Sequence, residues 1–456
     1  MPLSAGISRA TITPYWGVEL TGWGYYIERR WQRIHDDLHA TALVCDDGSR
    51  TAALVAVDLM VVDRRFTDQT RRLIHAHTGI APDAILITCS HSHNAPAAGG
   101  LLGAGACDPV YEDWASRQAA TAAIVAWHKR EPVRASIAHD DVAGMTYNRT
   151  RAGGPVDTRL TTLRLDCTDG RPLAMVVNFQ AHPCVHTILR PFDVTRDVPG
   201  EVCNHIEAAM PGVTAMYVQG ACGDVNFLPE FSTPERCHEP ARRVAKTALA
   251  AQSAARPIDD PVVAAMSQLA RIPTRRWQYE EIDHDRAETL RRMASGDISG
   301  WQETIGRAMT NRPLDMVARH GGDEHKAVRS MARFHIEWTD QMLADYDTRP
   351  EWLETEVQAL RLGELCIVAN SSEFFTTLAQ DVRQQFAEKC GRAAELMIAC
   401  YANGRIGYLP DVYDIERRTY AAYQSPKYCN QFPFVAESGP AMCAAMLDVL
   451  RQCQET

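Results

Sequence analysis

Residues 41–45 and 51–62 are nearly unbroken apolar runs, separated by the polar turn Asp46-Asp47-Gly48-Ser49. Two such runs around a glycine-bearing turn predict a hairpin buried on both faces. The spacing then changes. Over residues 64–77 apolar side chains recur at helical intervals, and Gly79 stands where a left-handed C-terminal cap belongs. A short strand over 84–89 follows and runs straight into Ser90-His91-Ser92-His93. Residues 109–129 read as a long helix. Residues 160–165 and 173–180 predict a second hairpin around Thr168-Asp169-Gly170, and its second strand runs into Ala181-His182-Pro183. Residues 215–218 form a strand that stops at Gly220-Ala221-Cys222-Gly223-Asp224.

Residues 275–348 differ in character. They are rich in Arg, Asp, Glu and Trp, poor in β-branched residues, and predict amphipathic helices that form a helical insertion or lid. A tight hairpin over 357–362 and 365–369 comes next, then a helix over 373–388. A strand-like stretch over 396–401 precedes Tyr408, and a last helix covers 438–452. The predicted class is α/β: mixed β-sheets with hairpins layered with α-helices. The whole chain, 1–456, reads as one catalytic domain with the insertion inside it.

Composition narrows the partners. With 47 basic and 57 acidic side chains the net charge is −10, and no basic cluster offsets it, so nucleic acid is not expected. The longest apolar run is broken by Asp58, well short of the roughly 20 residues a span requires. The first residues show neither a basic n-region nor an apolar h-region. The 14 cysteines are scattered without a C-x-x-C pair. These features predict a cytoplasmic chain with reduced thiols, no membrane partner, a small-molecule substrate, and a possible homo-oligomer.

Chemistry concentrates where apolar strands stop, the usual address of ligand sites in α/β proteins. His91 and His93 form an H-x-H pair whose imidazoles can face one pocket as metal ligands, or stand on a polar turn. His182, with His186 four residues on, reads equally as a ligand or as a cap before Pro183. Glu373 reads as a first-turn helix glutamate behind a Ser371 or Ser372 cap, or as a carboxylate aimed into a cleft. Tyr408 reads as a packing tyrosine or a site residue. Asp58 is either structural or orients a histidine. The loop at Asp224 to Asn226 could approach a ligand closely. Neither a phosphate-binding glycine loop nor a G-x-S-x-G elbow occurs.

Taken in order, these segments resemble the catalytic domain of the neutral/alkaline non-lysosomal ceramidase family. The similarity runs through Ala5-Gly6-Ile7-Ser8-Arg9-Ala10-Thr11-Ile12-Thr13-Pro14 and Ile34-His35-Asp36-Asp37-Leu38-His39-Ala40-Thr41-Ala42. It continues through the H-x-H segment, Asn148-Arg149-Thr150, residues 178–183, Gly223-Asp224-Val225-Asn226, Glu373-Phe374-Phe375-Thr376-Thr377, residues 403–410, and Tyr420. The resemblance implies one zinc per chain, held by His91, His182, Glu373 and Tyr408, with His93, Arg149 and Tyr420 as catalytic residues and Asp224 and Asn226 at the substrate. The chain departs from the family where a catalytic serine is expected, since Asn226 stands there. Ser371-Ser372 replaces a Pro-Gly pair, and the family's C-terminal immunoglobulin-like domain has no counterpart here.

The expected activity is therefore zinc-dependent hydrolysis of a linear amide by water activated at the metal, without an acyl-enzyme on that loop. The alternatives are an ester or lactone hydrolase at the same metal, and a non-catalytic metal-binding protein. Arg275, Arg276, Arg286, Arg291 and Arg292 of the insertion are candidates to recognise a carboxylate, which predicts a small acidic acyl-amide as substrate.

Overall fold

The structure is a computed structural model that describes residues 2–23, 28–296, 320–391 and 395–455. Ser4–Thr11 (β1), His39–Asp46 (β2), Thr51–Val57 (β3), Ile85–Cys89 (β4), Glu131–Asp141 (β5), Arg159–Cys167 (β6), Pro172–Phe179 (β7) and Thr214–Gln219 (β8) build one sheet. Their order is β8-β7-β6-β5-β1-β2-β3-β4, with Arg256–Pro257 added beside β5. Val263–Pro273 (β9), Trp352–Leu362 (β10), Leu365–Ala369 (β11) and Glu395–Ala399 (β12) build a second sheet in that order. The three predicted hairpins are β2–β3, β6–β7 and β10–β11, all antiparallel. The β2–β3 turn closes because the Asp46 carboxylate accepts from Gly48 N, and that of Asp47 from Ser49 N and Arg50 N.

Alternation along the strands explains the layers. In β2, Leu43 and Cys45 face a core shared with Leu360, Leu365, Ile367 and Met397 of the second sheet, so the sheets stack face to face. Ala42 and Val44 face the opposite way, onto Phe66 and Ile74 of Arg64–Thr78 (α1) and Ala115 and Ala119 of Pro109–His128 (α2). Helix α1 starts because Asp63 accepts from Phe66 N, and it stops at Gly79 with φ 76°. After the short Val185–Leu189 (α3), Asp197–Ala209 (α4) and Glu239–Ala251 (α5) cover Met175, Val177 and Tyr217 of β7 and β8.

The insertion contributes Tyr279–Ser295 (α6) and Glu324–Ala344 (α7); residues 297–319 of the expected lid lie outside the described residues. Both helices pack on the segment after Tyr420. Trp277 meets Trp338 edge-on with ring centroids 5.3 Å apart, and Lys427 Nζ donates to Asp285 at 3.0 Å. Thr376–Cys390 (α8) and Ser438–Glu455 (α9) close the outer face of the second sheet. The molecule is thus mixed α/β, layered helix–sheet–sheet–helix. No helix among the described residues is long and apolar enough to cross a membrane, and all 14 cysteines are free thiols.

One boundary differs from the sequence expectation. The helix expected from 373 begins at Thr376, and Glu373-Phe374 pairs instead, in parallel, with Tyr408-Leu409. Ser371 and Ser372 do not cap it, because their hydroxyls bond Thr355 and Asn370. Asp224, from a distant loop, supplies the acceptor for Thr376 N at 2.8 Å. The helix start is therefore set by a tertiary contact, which local propensity cannot encode.

Candidate metal centre

Strands β3 and β4, β7 and β8, and β11 and β12 are three parallel pairs, so each pair ends on one edge. Those edges meet. His91 follows β4, His182 follows β7, Cys222 to Asp224 follow β8, Glu373 follows β11, and Tyr401 to Tyr408 follow β12.

The backbone aims the imidazoles. His91 has φ 63°, a left-handed conformation uncommon for a residue with a Cβ and a mark of positions held for function. Its Nδ1 donates to the Met60 carbonyl at 2.9 Å, while His93 Nδ1 donates to Gly22 O and His182 Nδ1 to Cys222 O, each at 2.6 Å. A carbonyl can only accept, so all three rings carry their proton on Nδ1 and leave Nε2 bare. The three bare nitrogens converge: His91 Nε2 lies 3.0 Å from His182 Nε2 and 3.3 Å from His93 Nε2. Gly22 is needed for this, because a Cβ there would stand 2.7 Å from His93 Cα and Cβ.

Glu373 Oε2 joins them at 3.2 Å from His91 Nε2 and 3.4 Å from His182 Nε2, and it is buried without a hydrogen-bond partner. Tyr408 OH stands 3.5 Å from His182 Nε2 and accepts from Arg149 Nη2 at 2.6 Å. Arg149 is itself fixed by two donations to the Gly223 carbonyl. Gly223 has no room for a side chain, since a Cβ would lie 2.4 Å from Glu373 O. Tyr420 meets Tyr408 edge-on at 5.8 Å.

The electrostatics follow from enclosure. Burial, aided by the Arg149 charge, holds His182 down to about 3, so it stays neutral. Burial also pushes the Tyr408 phenol far up, and the Arg149 charge opposes that. Bare lone pairs about 3 Å apart repel in a buried pocket unless a cation lies between them. Three imidazoles, a carboxylate and a phenol fit zinc's preference for nitrogen and oxygen donors. His91, His93 and His182 also lie within mutual reach of one ion. His93 Nε2 stands 3.3 Å from His91 Nε2, slightly farther than the 3.0 Å of His182 Nε2.

Asp224 is fully engaged within the protein: Oδ1 accepts from Thr376 N and Oγ1, and Oδ2 from Asn148 Nδ2. Burial raises it to about 6, against the pull of those donors. Asn226 is bridged to His182 in parallel, which sends both side chains to one side. Asp58 accepts from His39 N and orients none of the three histidines. The five insertion arginines are paired within the protein: Arg275 with Glu281, Arg276 with Glu351, Arg286 with Asp340, and Arg291 and Arg292 with Glu288. The carboxylate fork expected of them is already answered by these acids. Sequence reasoning did not find Gly22, the Met60 and Cys222 carbonyls, or Tyr401, whose ring stacks 3.9 Å from His91. The only trace of Tyr401 was its place at a strand end.

No protein-family model matches the chain, and no curated protein does. Solved structures do. The neutral ceramidase from Pseudomonas aeruginosa matches with a TM-score of 0.72 and 16% identity, over 99% of this chain and 75% of that one. A ceramidase complexed with C2 matches with a TM-score of 0.70 and 15% identity, over 99% and 76%. The likeness read from short motifs thus holds at the level of the fold.

Proposed function

We propose that the chain is a zinc-dependent hydrolase of a linear amide bond in a small acyl-amide. One observation carries the metal: three imidazoles with proton-free Nε2 atoms and a partnerless buried carboxylate oxygen converge on one point. The amide bond is supported by the fold shared with proteins named as ceramidases and by the order of motifs. His91, His182, Glu373 and Tyr408 would hold the ion. Bound zinc polarises a carbonyl oxygen and brings the pKa of water towards about 7.

The chain's own residues do the rest. His93 keeps its Nδ1 proton on Gly22 O, so Nε2 is the atom that takes a proton from water and returns it to the leaving amine. Arg149, locked on Gly223 O, brings a fixed positive charge beside Tyr408, where negative charge develops on the acyl oxygen. Tyr420, edge-on to the Tyr408 ring, would supply a hydroxyl donor beside it. Asn226 offers an amide where a serine nucleophile would stand, so no acyl-enzyme forms there. Phe334 and Met331 of α7 pack with Tyr428, Leu101 and Leu102 beside Tyr420, and we read the insertion as the pocket's cover.

The test is hydrolysis of matched amides and esters, including N-acyl amino acids and dispersed short-chain ceramide, before and after chelation. Zinc-restored turnover with a clear amide product supports the proposal. A large preference for the ester replaces it with the ester or lactone reading, and bound zinc with no turnover leaves a non-catalytic metal protein.

A further inference from the structure

Four residues beyond His182 a second histidine is sealed from solvent. His186, in α3, has no exposed surface. Around it stand Glu201 of α4, Cys237 and His238 at the start of α5, and exposed His35. Donor atoms of His186, Cys237 and His238 lie within 4.8 Å of one another, as do those of His35, His186 and Glu201. Glu201 Oε1 is 3.3 Å from His186 Nε2 and accepts from His238 Nδ1 at 2.6 Å. Its second oxygen, Oε2, and His186 Nε2 are both buried without a hydrogen-bond partner. A thiol, two imidazoles and a carboxylate drawn from three helix ends form a donor set of the zinc and cobalt type.

One group opposes an ion there. Arg190 Nη1 donates to His186 Nδ1 at 2.8 Å and stands 3.4 Å from His35 Nε2. While it does so, a neutral His186 keeps its proton on Nε2, the atom that must be bare to ligate. Arg190 is only half-buried, so its guanidinium can turn into water.

We propose that His186, Glu201, Cys237 and His238 form a second, weaker site for a zinc-class ion, and that Arg190 gates it. Binding releases the Cys237 thiol proton, moves the His186 proton from Nε2 to Nδ1, and displaces Arg190. The site would clip α3, α4 and α5 together just beyond His182.

Cobalt(II) titration of the metal-free full chain tests this, because the first centre has no thiolate among its donors. The first equivalent should bind without a thiolate-to-cobalt charge-transfer band, and further cobalt should produce that band. Cys237→Ser should abolish the band and keep the first equivalent, and His238→Ala should weaken it. Arg190→Gln should bring the band at cobalt concentrations lower by about tenfold or more, the scale of an altered partner behind a ligand. Absence of the band at saturating cobalt, or its survival in Cys237→Ser, overturns the site. An unchanged midpoint in Arg190→Gln overturns the gate.

Discussion

His182 and His186 are four residues apart, both buried, and each points Nε2 at a glutamate. Their surroundings give them opposite characters. The Nδ1 of His182 donates to a carbonyl, whereas the Nδ1 of His186 accepts from an arginine. Burial and Arg149 hold His182 at about 3, so its lone pair is permanently available. At His186 burial also disfavours the cation, but Glu201 and Asp197 outweigh it and raise the group above the ordinary histidine range. Residue type is thus not what makes a ligand. The partner on the far ring nitrogen decides which atom is bare.

The largest expected difference lies in activity. His182→Ala should lose zinc and lower kcat/KM by at least about a thousandfold, since several kcal/mol of charge stabilisation go with the metal. His186→Ala should keep the first equivalent of zinc and stay within about tenfold of wild type, as expected for a separate cluster. Equal losses in the two variants would erase the distinction. Elemental analysis beside steady-state kinetics measures both.

Next in size is Arg149. Arg149→Met should retain zinc but lower kcat by about 10²- to 10³-fold, the usual effect of removing one group that stabilises a developing oxyanion. Arg190→Met should leave kcat nearly unchanged. The two arginines each touch a site residue through a single guanidinium, so this pair asks whether the charge serves chemistry or only packing.

How far the sequence reaches is clearest at these same residues. The layered α/β class, all three hairpins and the capped helix α1 follow from period-two and helical spacing with turn residues, because those signals are local. His91, His182, Glu373 and Tyr408 could be named together only through the family resemblance; from spacing alone each had an equally good structural reading. The start of α8 was not legible, because Asp224 supplies its acceptor from 152 residues away. Nor were the Gly22, Met60 and Cys222 carbonyls, since any residue has a carbonyl and only the fold aims it. The insertion arginines misled for the converse reason: a run of Arg among Asp and Glu pairs with itself.

A smaller effect concerns support of the first cluster. Gly22→Ala must push on the His93 backbone and adopt φ near 110°. It should cost about 1–3 kcal/mol of stability by overpacking, with weaker zinc retention. Urea unfolding with zinc analysis would show it, and an unaffected variant would mean that His93 can move.

The smallest effect is one of pH. A histidine whose folded pKa is raised stabilises the fold below its unfolded value and loses that contribution as pH rises through its folded value. His186→Gln in metal-free protein should therefore destabilise more at about pH 5.5 than at about pH 8.5. The opposite ranking would mean that Arg190 keeps His186 neutral throughout.

The central claim, that the strand-end cluster is the protein's metal centre, is tested most directly by anomalous scattering at the zinc edge from crystals of the purified chain. The account predicts the dominant peak where His91 Nε2, His182 Nε2, Glu373 Oε2 and the Tyr408 hydroxyl converge. A dominant peak at His186 and His238, or none at the strand ends after zinc soaking, would contradict it.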